Sequence, residues 1–190
     1  MFYPFAFALK ITYTLKKHDL EVCWEVVNND SETMYFTIGG HPAFRVPVRE
    51  GESQSDYRLA FEGLDTLTYL LIDTSVGTVL ADEPHTLSLE NGTCSIAPHM
   101  FDKDALVFDN GQIQKAGILF PDGTPYLTLT SEGFPNFGIW SVPGAPFVCL
   151  EPWMGRCDDC GFEKPLSEKA NINVLKPDEE FIKSYQITVH

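Results

Sequence analysis

Positive charge is scarce in this chain: 13 Lys plus Arg stand against 27 Asp plus Glu, for a formal net charge of −14. Such a field repels phosphate backbones and anionic headgroups, so nucleic acid and membrane surfaces are poor partners. Long apolar runs are also missing, and no stretch reaches membrane-spanning length. The start, Met1-Phe2-Tyr3-Pro4-Phe5, lacks the basic leader and small-residue cleavage site of a signal peptide. There is no even cysteine framework: Cys23, Cys94, Cys149, Cys157 and Cys160 are odd in number and scattered, which fits a reducing cytoplasm. A Gly-rich phosphate loop and an alternating helix pattern are absent too, which argues against a nucleotide-binding fold.

What is present is strand period. Phe7, Leu9, Ile11, Tyr13 and Leu15 alternate with smaller or polar residues, the period of two that buries one face of a sheet. After a turn at Lys17-His18-Asp19 the pattern resumes at Leu20, Val22, Trp24 and Val26, so residues 6 to 27 form a predicted β-hairpin. Further strand-like runs follow at 34–38, 57–61, 66–72, 86–89, 105–108, 112–120, 126–130, 138–140 and 147–151, with a last alternating strand through Phe181, Tyr185, Ile187 and Val189. Asn91-Gly92, Asp109-Asn110-Gly111 and Pro121-Asp122-Gly123 supply turns between them. Only 165–170 predicts a short helical turn. The fold class that follows is all-β, an antiparallel sandwich in one domain spanning residues 1–190. The chain enters its first strand with no lead-in to cover that strand's edge.

Four segments could carry chemistry. In Gly39-Gly40-His41-Pro42-Ala43-Phe44, two glycines allow a tight turn and Pro42 biases His41 toward extended backbone, which aims the imidazole. A histidine so placed is either a proton carrier or a hydrogen-bonded structural residue. In Phe147-Val148-Cys149-Leu150-Glu151-Pro152-Trp153, a carboxylate ends an apolar run. Apolar neighbours would raise its pKa toward the range of a general base, whereas a strand-end glutamate facing water would keep an ordinary value. Trp153 offers a flat face for a sugar ring or is simply core. Asp104, where a loop enters a strand, could reach bound hydroxyls or only close a turn. Cys157-Asp158-Asp159-Cys160 has redox or half-zinc spacing, but no βαβ context and no second ligand pair accompany it, so it reads as a loop with incidental thiols.

Taken in order, these segments resemble the aldose 1-epimerase (galactose mutarotase-like) family, in its bacterial branch. The matching stretches are Gly39 to Phe44, Asp104-Ala105-Leu106, Phe134-Pro135-Asn136-Phe137-Gly138-Ile139-Trp140-Ser141, Cys149 to Gly155, and the tail Leu175-Lys176-Pro177-Asp178-Glu179-Glu180. The resemblance implies a supersandwich that interconverts α and β anomers of an aldose, with His41 as general acid, Glu151 as general base and no cofactor or metal; the leading expectation is a mutarotase acting on a free aldohexose. It implies Asp104 as a substrate-binding residue, and Trp153 and Arg45 join it as sugar-contacting candidates. Arg45 stands where a smaller polar residue is expected.

The resemblance also implies more chain ahead of the first hairpin, a part that ordinarily gives the sugar site an arginine and a second histidine. No segment here replaces them. The expected molecule is therefore a sandwich lacking its N-terminal part, with an exposed edge strand that favours pairing with another copy. Three alternatives stand beside the mutarotase: a non-catalytic carbohydrate-binding protein, a hexose-6-phosphate mutarotase using Arg45, Arg156 and Lys164, and a glycosidase using Asp104 and Glu151.

Overall fold

The computed structural model describes residues 3–190; the reading of the extreme N-terminus rests partly on Met1 and Phe2, which lie outside the described residues. The strands in chain order begin with β1 (Phe7–Lys16), β2 (Asp19–Asn28), β3 (Met34–Phe36), β4 (Ile38–Gly39), β5 (Ala43–Arg45) and β6 (Arg58–Ala60). They continue with β7 (Thr66–Tyr69), β8 (Ile72–Asp73), β9 (Thr78–Val79), β10 (His85–Ser88), β11 (Thr93–Ser95) and β12 (Leu106–Phe108). The last six are β13 (Lys115–Leu119), β14 (Pro125–Thr130), β15 (Asn136–Trp140), β16 (Phe147–Met154), β17 (Asn173–Leu175) and β18 (Glu180–Val189). The helical turn expected at 165–170 is a single 3-10 turn, Leu166–Glu168. No helix among the described residues is long and apolar enough to cross a membrane.

Two antiparallel sheets form the sandwich. A seven-stranded sheet runs in the order β1-β2-β18-β14-β13-β6-β11, and a five-stranded sheet in the order β12-β15-β16-β4, with β5 also pairing β16. The core lies between them. From the large sheet come Val22, Trp24, Leu59, Ile118, Leu127 and Tyr185; from the small one come Leu106, Phe108, Phe137, Ile139, Val148 and Leu150. Each strand contributes every second residue, as the pleat requires. Trp24, Phe134 and Tyr185 meet edge to face, with ring centroids 5.6 to 6.5 Å apart.

The first hairpin forms in full, with Ile11 opposite Trp24 and Leu9 opposite Val26. One expectation needs correcting: the alternating apolar residues of β1 do not become buried. They share the core side of the sheet with Val22, Trp24 and Val26, yet Tyr13 is 67% and Leu15 73% exposed. The reason is position. β1 is the outermost strand of its sheet, paired on one side only among the described residues, and its apolar side chains stay exposed along its length. Leu9 and Phe7 instead line an apolar cleft of about 440 Å³ with Tyr3, Val26, Met34 and Leu166.

Short strands were harder to anticipate than long ones. β5, β9, β11 and β17 carry two or three residues each, too few to show a period. The run at 66–72 breaks into β7 and β8, and the run at 147–151 extends to Met154.

Phe134 is a central test of this packing, being 1% exposed and in contact with both Trp24 and Tyr185. Phe134→Ala is expected to lower the unfolding free energy by about 3–5 kcal/mol, read from the shift in denaturant midpoint at unchanged slope.

Candidate active site

The site lies on the face of the five-stranded sheet turned away from the core, and β16 organises it. Along β16, Val148, Leu150 and Pro152 are buried, with Val148 and Leu150 in the main core, so the pleat turns Cys149, Glu151 and Trp153 to the opposite face. The neighbouring segment runs antiparallel in one unbroken register: Gly39 opposite Trp153, Ala43 opposite Cys149, and Arg45 opposite Phe147. That register sets His41 against Glu151. Gly40 N–H donates to the Pro152 carbonyl at 3.0 Å, and Leu150 N–H donates to the Pro42 carbonyl at 3.4 Å. The histidine loop is thus pinned on both sides of the imidazole.

His41 Nε2 lies 3.4 Å from Glu151 Oε1. This is longer than a formed hydrogen bond, so both groups remain free to engage a third. Their environments differ sharply, since the His41 side chain is 60% exposed and that of Glu151 only 4%. The imidazole meets the Trp140 ring edge to face, with centroids 5.6 Å apart. Burial lifts the Glu151 carboxyl from 4.5 to about 7; the Trp153 side chain pulls it partly back and the Asp104 charge adds to the rise. A carboxyl of this kind exchanges a proton near neutral pH.

Asp104 enters from the loop before β12 with a left-handed backbone, φ 75°. Its Oδ1 accepts the Ala105 N–H at 2.6 Å, and its own N–H donates to the Phe101 carbonyl at 3.1 Å. Aspartate tolerates this conformation better than most side chains, and the turn carries the carboxylate toward the site.

Trp153 lies flat across the sheet because two glycines leave room for it. A Cβ on Gly39 would stand 2.5 Å from the indole Cδ1, and one on Gly138 would stand 2.3 Å from Cζ2. Gly39 at the end of β4 and Gly138 in the middle of β15 therefore both make room for the indole.

The structure brings His41, Glu151, Trp153 and Asp104 to one place. Arg45 is exposed on the far end of β5, and its charge acts on Tyr126. Arg156 is committed elsewhere: it grips Asp109 through Nε and Nη2 at 2.8 Å each, and Nη2 also lies 2.8 Å from Asp159. Lys164 pairs with Glu168 at 3.7 Å. Cys157 and Cys160 are free thiols in a loop. Two residues at the site were not singled out from sequence, Trp140 and Cys149. The signal for Cys149 was available, because residues 149, 151 and 153 fall on one face of a single strand.

One sheet face thus presents an imidazole, a buried carboxyl and a flattened indole together. In comparison with known proteins, the aldose 1-epimerase family model matches residues 2–186, and the chain belongs to that family. Protein LacX of Lactococcus lactis subsp. lactis, in its plasmid form, is 30% identical over 190 residues, covering 98% of this chain and 63% of LacX. A galactose mutarotase related enzyme from Lactobacillus acidophilus superposes with a TM-score of 0.89 at 28% identity, over 99% of this chain and 63% of that one. A galactose mutarotase-like protein from Lactobacillus casei superposes with a TM-score of 0.83 at 27% identity, over 99% of this chain and 65% of that one. The present chain thus spans somewhat under two thirds of the length of these relatives.

The burial of Glu151 and the glycine bed beneath Trp153 each generate a prediction. In the folded protein Glu151 keeps its proton up to about pH 7, whereas the unfolded chain releases it near 4.5. A raised folded-state value stabilises the fold relatively at low pH and loses that advantage as pH rises through the window. Relative to Glu151→Gln, the native chain should therefore lose up to about 3 kcal/mol of unfolding free energy between these limits, measured by denaturant titration across pH. Separately, Gly138→Ala should force the indole off the sheet at a cost of about 1–3 kcal/mol, seen as a change in Trp fluorescence together with a lower denaturant midpoint.

Proposed function

We propose that the chain carries the acid–base pair of a mutarotase acting on a free aldohexose. The observation that carries this reading is the 3.4 Å approach of an exposed imidazole to a buried carboxyl. The two oxygens involved in anomer exchange, the anomeric hydroxyl and the ring oxygen, are bonded to the same carbon. One acid and one base a few ångströms apart can serve both at once.

In the forward step the Glu151 carboxylate accepts the proton of the anomeric hydroxyl while protonated His41 gives a proton to the ring oxygen. The bond from C1 to the ring oxygen breaks and the C1 carbonyl forms. Rotation about the C1–C2 bond presents the other carbonyl face, and the ring recloses with the two proton transfers reversed. Asp104 accepts hydrogen bonds from sugar hydroxyls, and Trp153 offers an apolar face to the ring. Burial of Glu151 supports its role, since a carboxyl that titrates at about 7 is matched to neutral conditions.

The phosphorylated alternative finds less support, because Arg156 is held by two carboxylates and Lys164 by a third. Carbohydrate binding without turnover is the second reading, and the open setting of His41 favours it, since water competes for an imidazole that is 60% exposed.

Polarimetry or one-dimensional proton NMR on freshly dissolved α-glucose and α-galactose tests the proposal. The expected result is anomer exchange faster than in buffer, reduced about 10²–10⁴-fold by Glu151→Gln and similarly by His41→Asn, with the double variant little worse than either. Unchanged turnover in Glu151→Gln would remove the base from the scheme. Saturable sugar binding with no acceleration would establish the binding reading instead.

A further inference from the structure

The pleat of β16 places a thiol beside the acid–base pair. The ligating atoms of His41, Cys149 and Glu151 all lie within 4.8 Å of one another, and Cys149 and Glu151 are buried while His41 is exposed. We propose that this triad is a binding site for a thiophilic divalent cation of the zinc class, and that the cation acts there as an inhibitor.

The donor set suits zinc, which takes nitrogen, sulfur and oxygen ligands in tetrahedral geometry with arms of about 2.0–2.3 Å. Two such arms to nitrogen and oxygen, opened to the tetrahedral angle, separate the ligand atoms by about 3.3–3.5 Å. His41 Nε2 and Glu151 Oε1 already stand 3.4 Å apart. The sulfur lies within 4.8 Å of both, so a bound ion draws the three groups slightly together, with the exposed imidazole the freest of them to move. The β15 and β5 partners of Cys149 are Trp140 and Ala43, so the thiol is held by strands on both sides. Three protein ligands leave a fourth position on the solvent side. Hard magnesium or calcium would be disfavoured by the sulfur and the imidazole. The surroundings favour a cation, with the Asp104 charge close enough to act on Glu151 and the chain at −14 overall.

Occupation would take both proton carriers at once, since a metal-bound imidazole cannot donate a proton from the liganded nitrogen and a metal-bound carboxylate is a poor base. The inhibitory half of the inference rests on the proposed mutarotase reading; the binding half does not.

The test therefore has separate arms. Metal-free protein is titrated with zinc against a chromophoric chelator, and with cobalt while the near-ultraviolet spectrum is followed. One zinc per chain is expected, together with a thiolate-to-cobalt charge-transfer band. His41→Asn, an exposed substitution that leaves the core intact, should weaken zinc binding by at least about 10–100-fold, the loss that even an outer-sphere partner commonly causes. Cys149→Ser should abolish the cobalt band, with circular dichroism verifying its fold; should it not fold, the band in the unaltered protein together with the His41→Asn affinity decides. Zinc binding unchanged in His41→Asn, or no thiolate band with cobalt, overturns the site. In the activity arm, zinc should suppress anomer exchange and a chelator should restore it. Binding through the triad with undiminished exchange overturns the inhibition. Metal-free protein that binds zinc as described but never accelerates exchange counts against the mutarotase reading and leaves the binding site standing.

Discussion

The arrangement depends on one constraint, the continuous antiparallel register between residues 39–45 and β16. Burial of Val148 and Leu150 fixes which face of β16 looks inward, and a shift by a single residue would send Glu151 into the core and Leu150 into the site. The hydrogen bonds at Gly40 and Leu150 hold the histidine loop against that same strand. Core packing and chemistry are therefore set by the same alternation. The imidazole and the carboxyl meet without any loop closing over them, because Glu151 stands on β16 and His41 on the short segment between β4 and β5 that is held against it.

This economy has an energetic consequence. A carboxyl almost out of reach of water is a liability at neutral pH, and its raised pKa is the measure of that liability. The fold tolerates it because the core behind it is strongly packed: Val148 and Leu150 of the same strand are fully buried, and Trp24 and Tyr185 of the large sheet close edge to face on Phe134 in the loop from β14 to β15. The same separation of roles appears at Arg156, which is nearly as buried as Glu151 but is matched by Asp109 and Asp159 and so can serve only the architecture of its loop.

Much of this was legible in the sequence. The long strands β1, β2 and β18 announce themselves by strict alternation, and the hairpin turn at Lys17-His18 falls where the pattern lapses. Gly39-Gly40-His41-Pro42 and the Glu151 segment stand out because each sets a polar group at the end of an apolar run. Other features depend on contacts across the chain. Two- and three-residue strands such as β9 and β17 exist only because a partner pairs with them, and carry no period of their own. Gly138 gives no local hint that it makes room for an indole fifteen residues away. Arg156 looks like a free cation until Asp109 is brought beside it. Cys149 looks like one more apolar residue until its strand partners are known. The alternation of β1 was read correctly as strand, but its burial could not be read from it, since burial depends on what lies across from a face and not on the face itself.

That open row on β1 also bears on how the isolated polypeptide behaves as a colloid. Phe7, Leu9, Ile11, Tyr13 and Leu15 form an exposed oily stripe next to a strand edge that is unpaired among the described residues, on a chain of net charge −14. Electrostatic repulsion keeps such particles apart in dilute buffer of low ionic strength. Added salt screens that repulsion within about 10 Å and leaves the stripe's attraction in place, so solubility and salt concentration run in opposite directions for this chain.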